Sequence, residues 1–66
     1  MMIQLNGEPH EVADDTTLSE LLTALEMSQQ RIAVEINLNI IPRSQHAETR
    51  LKAGDKVELV RAIGGG

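Results

Sequence analysis

An α+β fold is predicted for this chain: a mixed sheet of four to five strands packed on one main helix. Three observations predict it. Short segments near both ends and in the middle alternate apolar and polar residues with the two-residue period of strands. One segment, Leu18, Leu21, Leu22 and Leu25, repeats instead at i, i+3, i+4 and i+7, the spacing of one helix face. Turn residues punctuate the chain at Asn6-Gly7, Asn37-Leu38-Asn39 and Ala53-Gly54-Asp55.

Met2-Ile3-Gln4-Leu5 is the first strand. Asn6-Gly7 follows it, a strong hairpin signal because both residues tolerate positive φ. The return strand spans Glu8 to Ala13. Pro9 lacks an N–H and would break a central ladder, so this strand belongs at an edge. Asp14 to Thr17 lead into the helix. Thr17-Leu18-Ser19-Glu20 matches a capping box, and Asp14 and Asp15 suit the positive end of the helix dipole rather than a metal or acid–base site. Met27 closes the helix end. Arg31 to Asn37 is the third strand, with Ile32, Val34 and Ile36 on one face and Ala33 and Glu35 on the other. Ile40-Ile41 is a short strand stopped by Pro42. Ser44 to Thr49 form a single helical turn, and Leu51 returns to the core. Lys56 to Ala62 is the last strand, with Val57 and Leu59 inward and Glu58 and Val60 outward.

Two early strands, a helix, and a long final strand suggest a β-grasp. The first and last strands then pair in the middle of the sheet, and Ala33, Glu35, Glu58 and Val60 share the face away from the helix. Residues 1–62 form the domain. Residues 63–66 are expected to be a flexible glycine tail.

Sixty-six residues make one small domain, close to the lower size limit for independent folding. The core must be aliphatic, since the chain has no Phe, Trp or Tyr. There is no cysteine, so neither a disulfide nor a thiolate metal site can form, and any sulfur carried here is not on a side-chain thiol. The net charge is −4, without the basic patch or stacking platforms of a nucleic-acid binder. No apolar run approaches a membrane span and no signal-peptide pattern opens the chain, so the expectation is a cytoplasmic protein that meets neither nucleic acid nor membrane.

The sequence ends Ile63-Gly64-Gly65-Gly66, directly after the last strand. Three glycines cost backbone entropy and bury nothing. They make sense if the terminal carboxylate is the working group. Extended, the four residues reach roughly 13 Å, and without Cβ atoms the glycines can thread a narrow channel. The bland reading is a frayed end.

A β-grasp of this length with this end resembles the ubiquitin-like sulfur carriers, and within them the ThiS-like carriers of thiamine thiazole biosynthesis. The resemblance covers the whole chain. It rests on Ile41-Pro42-Arg43-Ser44-Gln45-His46-Ala47-Glu48-Thr49-Arg50-Leu51, on Gly54-Asp55-Lys56-Val57-Glu58, and on the glycine end. His46 departs from it, standing where the family commonly has Trp. The resemblance implies that an E1-like adenylating enzyme, using ATP and Mg²⁺, forms an acyl-adenylate on Gly66. Sulfur from a persulfide donor protein displaces AMP, and the resulting thiocarboxylate donates sulfur to thiazole synthase. Gly64 and Gly65 guide the tail into the partner. The chain itself is then a co-substrate rather than an enzyme and binds no cofactor. His10 and His46 are expected to be surface or turn residues, not catalysts. Val60, Ala62, Ile63 and Glu58, with Glu35, are the candidate docking residues beside the tail. The alternatives are a molybdopterin-synthase small-subunit-type carrier, a ubiquitin-like protein modifier, and a noncovalent β-grasp binding module with an idle tail.

Overall fold

The computed structural model describes residues 1–61. Its elements run β1 (Met2–Leu5), β2 (Glu8–Glu11), α1 (Leu18–Ala24), β3 (Ile32–Ile36), β4 (Asn39–Ile40), a 3₁₀ turn at Arg43–Gln45, and β5 (Lys56–Arg61). The sheet order is β2-β1-β5-β3-β4. β1 and β5 are parallel, whereas β1–β2, β3–β4 and β3–β5 are antiparallel. This is the predicted β-grasp, with β5 in the middle and β2, carrying Pro9, at an edge.

The β1–β2 hairpin closes through Asn6 and Gly7, both at positive φ (51° and 84°). That twist matches the strands it joins. β2 ends at Glu11 rather than Ala13, because Glu11 already faces Met2 and β1 has only Met1 beyond it. β4 covers Asn39–Ile40 instead of Ile40-Ile41, since the turn before it is tight: Asn37 and Leu38 both take positive φ. The 3₁₀ turn starts at Arg43, one residue earlier than expected. Three-residue hydrogen bonds carry it on, from the Gln45 N–H to Pro42 O and from the His46 N–H to Arg43 O. β5 reaches Arg61; Ala62, expected as its last residue, lies outside the described residues.

The capping box forms as predicted. The Glu20 N–H donates to Thr17 Oγ1 at 3.1 Å, and the Thr17 N–H donates to Glu20 Oε1 at 2.8 Å. The Thr17 backbone N–H, then its hydroxyl, hold the exposed Glu20 carboxyl below the ordinary 4.5, with the Arg50 charge a lesser contribution. A lowered pKa means that folding favours the carboxylate. The contribution is full above 4.5 and is lost as pH falls through the lowered value. Glu20→Gln should therefore flatten the acid limb of stability, read as the urea midpoint across that range. An unchanged acid limb would contradict this.

The helix has only seven residues. It stops without glycine. The Met27 N–H donates to Leu22 O at 2.8 Å and the Glu26 N–H to Thr23 O at 3.0 Å. These are the paired bonds of a Schellman motif, and they place Glu26 at φ 59°. A side chain there is strained. Glu26→Gly should stabilise the domain by about 1 kcal/mol, seen as a higher urea midpoint at unchanged slope. A lower midpoint would show that Glu26 makes a compensating interaction.

One layer of aliphatic side chains lies between sheet and helix. Ile3, Leu18, Leu21, Leu22, Val34, Ile36, Leu51, Val57 and Leu59 are buried, with Leu25, Met27 and Ile32 packed at the margin. Burying each such side chain contributes about 1.5–3 kcal/mol. Alternation in β3 and β5 then turns Ala33, Glu35, Glu58 and Val60 to the other face. Among the described residues no helix is long and apolar enough to cross a membrane.

Candidate functional site

The candidate site is the outer face of the sheet, together with the strand that leads to the terminus. β5 lies between β1 and β3, and its register with β3 runs from Ile36↔Val57 to Ile32↔Arg61. Val60 faces Ala33, and Glu58 faces Glu35. Val60 is 59% exposed, and Glu58 and Ala33 are exposed too. The structure thus brings Val60, Glu58 and Glu35 together as the sequence predicted. Ala62 and Ile63, the other docking candidates, and the tail Gly64, Gly65 and Gly66 lie outside the described residues.

Like charges directly opposite one another in a sheet are unfavourable. Glu35 and Glu58 are such a pair. A cationic group of a partner laid across them would relieve that repulsion, while Val60 and Ala33 supply apolar contact. Sequence reasoning missed Ile40 as part of this face. It is 74% exposed and pairs with Glu35. The signal was present in Ile40-Ile41: in a strand, two adjacent apolar residues cannot both face the core.

Val60→Lys puts a cation where apolar contact is expected. It should weaken binding of a protein that docks on this face by at least about tenfold, with stability changed by no more than about 0.5 kcal/mol, the usual range for an exposed site. Titration of the variant against such a partner checks this. Unchanged affinity would remove Val60 from the site.

The two histidines are not brought together as a catalytic pair. His10 is half-buried on β2. His46 occupies the predicted turn, but it is buried, at 7% exposure, rather than a surface group. Its Nε2 lies 3.0 Å from Ile41 O, so the ring serves as a hydrogen-bonded plug beneath the 3₁₀ turn. A cleft of about 290 Å³ opens beside it, lined also by Leu22, Met27, Gln30 and Arg43, on the helix side of the sheet. Among the described residues no group of three or more His, Cys, Asp or Glu side chains is placed to hold a metal ion.

Known proteins match this chain along its length. The ThiS family model matches residues 3–66. The sulfur carrier protein ThiS of Escherichia coli is 36% identical over 66 residues, covering all of both chains. The crystal structure of the thiamine biosynthesis protein (ThiS) from Geobacter metallireducens superposes with a TM-score of 0.87 at 36% identity, again covering 100% of each chain. A thiazole synthase of Paramagnetospirillum magneticum is 39% identical over 66 residues; the whole chain matches, but it spans only 20% of that protein.

Proposed function

The chain belongs to the ThiS family, and from that premise we propose that it is a sulfur carrier of thiamine (thiazole) biosynthesis, working through a thiocarboxylate on Gly66. One observation carries the reading. The match to carriers of the same length runs through the glycine end and includes the strand that leads to it.

An α-carboxylate is ionised at neutral pH, with a pKa of about 3.3–3.7, and is a poor electrophile. It must be activated. In the proposed sequence a carboxylate oxygen of Gly66 attacks the α-phosphorus of ATP in an E1-like adenylating enzyme. Pyrophosphate leaves and an acyl-adenylate remains. The terminal sulfur of a donor protein's persulfide attacks the acyl carbon and AMP leaves. A thiol then cleaves the resulting acyl disulfide at the donor's sulfur, forming a disulfide and releasing the thiocarboxylate. Thiazole synthase receives that sulfur. ATP and Mg²⁺ belong to the adenylating enzyme.

The relative named thiazole synthase supports the last partner. A segment similar to this entire chain makes up 20% of it, so a carrier-like unit and further sequence share one polypeptide. The acidic, partly apolar outer face is the surface offered to both partners, and all of the chemistry is placed in the cytoplasm. Incubating the chain with ATP, Mg²⁺ and an adenylating enzyme tests the reading. Pyrophosphate release that depends on the chain is expected. None should occur when the Gly66 carboxylate is converted to an amide. Release that persists with the amide would refute the assignment of Gly66.

A further inference from the structure

β5 is held at its start and past its middle by asparagine side chains from two hairpin turns. Asn6 and Asn37 each open a turn at φ 51°. The Lys56 N–H donates to Asn37 Oδ1 at 3.0 Å, at the start of the strand. The Leu59 N–H donates to Asn6 Oδ1 at 2.8 Å, three residues further on. Both turn residues also bond the same strand through their backbones: the Asn6 N–H donates to Val57 O at 2.9 Å and the Asn37 N–H to Lys56 O at 2.8 Å.

The two clamps are not equivalent. β3 accompanies β5 as far as Arg61, but β1 pairs with it only at Gln4↔Lys56 and Leu5↔Val57. Beyond Val57 the Asn6 side chain is, among the described residues, the hydrogen-bonding group that β5 meets on the β1 side. It replaces the main-chain acceptor that β1 would supply if it did not turn. A strand held on both sides has its direction fixed; one held on a single side can swing.

We infer that Asn6 is a positioning residue for the C-terminal segment: by accepting the Leu59 N–H it fixes the heading with which β5 delivers residues 62–66 to a partner enzyme. The inference rests on the sulfur-carrier reading. It also explains why Asn, and not Gly, opens this turn. Glycine would adopt the positive φ at no cost but has no acceptor to offer. Aspartate keeps both properties.

Asn37 supplies the control. Asn37→Gly removes two side-chain hydrogen bonds, to Lys56 and to Asp55 Oδ1; Asn6→Gly removes one. A role in stability alone would therefore show at least as strongly at Asn37. The experiment measures amide exchange at Leu59 and Lys56, and steady-state pyrophosphate release by an adenylating enzyme with carrier as the varied substrate. Asn6→Gly should speed exchange at Leu59 and raise KM for the carrier roughly three- to tenfold, the worth of one neutral hydrogen bond, with kcat little changed. Asn37→Gly should speed exchange at Lys56 and leave KM near the parent value. Asn6→Asp should restore both Leu59 protection and KM. Equal KM effects at the two sites would overturn the inference, as would an Asn6→Asp protein that protects Leu59 yet keeps the raised KM. If the parent chain supports no pyrophosphate release at all, the carrier reading fails and the positioning role falls with it. Exchange at Leu59 would then report on the sheet alone.

Discussion

Deleting Gly65 and Gly66 is expected to abolish ATP-dependent modification of this chain while leaving its fold intact. The reason is a division of labour along the sequence. Among the described residues the buried core runs from Ile3 to Leu59, and Val60 lies on the outer face. Glycine has no side chain to add to either. Unfolding free energy should change by less than about 0.5 kcal/mol, as for a substitution remote from the core. Activation should fall below detection, because a carboxylate two residues short of its normal reach, at about 3.3 Å per residue, sits some 6–7 Å from the nucleotide. No distant group can compensate for a reacting atom out of place. A truncated chain that still released pyrophosphate would show that the terminal carboxylate is not the activated group. Full biological function after truncation would favour the noncovalent binding module.

Leu18→Ala should have the largest effect on stability, about 3 kcal/mol. Leu18 is completely buried at the first position of α1. Its N–H also donates to Thr49 O at 2.8 Å, and Thr17 bridges to Arg50, so this corner joins the helix to the segment after the 3₁₀ turn. A cavity here meets stiff aliphatic walls with no aromatic ring to shift into it. For a chain of this size, total stability is on the order of 3–10 kcal/mol. The variant should lose about 30% of that or more. Intrinsic fluorescence cannot follow the transition, because the chain has no Phe, Trp or Tyr; far-UV circular dichroism in urea can. A loss below about 1 kcal/mol would mean that the corner collapses to fill the gap.

What was legible in the sequence was local. The Asn6-Gly7 turn, the Thr17 to Glu20 capping box and the alternation of β3 and β5 each write their geometry into neighbouring residues. The edge position of β2 followed from a missing N–H at Pro9. What was hidden depended on partners distant in sequence. His46 reads as a polar turn residue, and only the fold shows its ring beneath the turn against Ile41 O. The helix end at Leu25 and Glu26 carries no glycine to announce it, so the strained φ at Glu26 was invisible. The Ile40-Ile41 pair signals that one of the two faces outward, but only the pairing of Ile40 with Glu35 shows which. The tie from Asn6 to Leu59 spans 53 positions, beyond any local pattern. The candidate site divides the same way. The outward facing of Val60 and Glu58 follows from strand period, but their choice as docking residues rests on their place beside the glycine end. Gly66 was proposed from its position and the family resemblance, and lies outside the described residues.

The central claim is that Gly66 carries sulfur. It is tested most directly by intact and fragment mass spectrometry of the chain from cells starved of thiamine. The account predicts the mass gain of one oxygen replaced by sulfur, mapped to Gly66. Mapping is needed because methionine oxidation at Met1, Met2 or Met27 gives nearly the same shift. An unmodified Gly66 in those cells, and again after incubation with ATP, an adenylating enzyme and a persulfide donor, would contradict it.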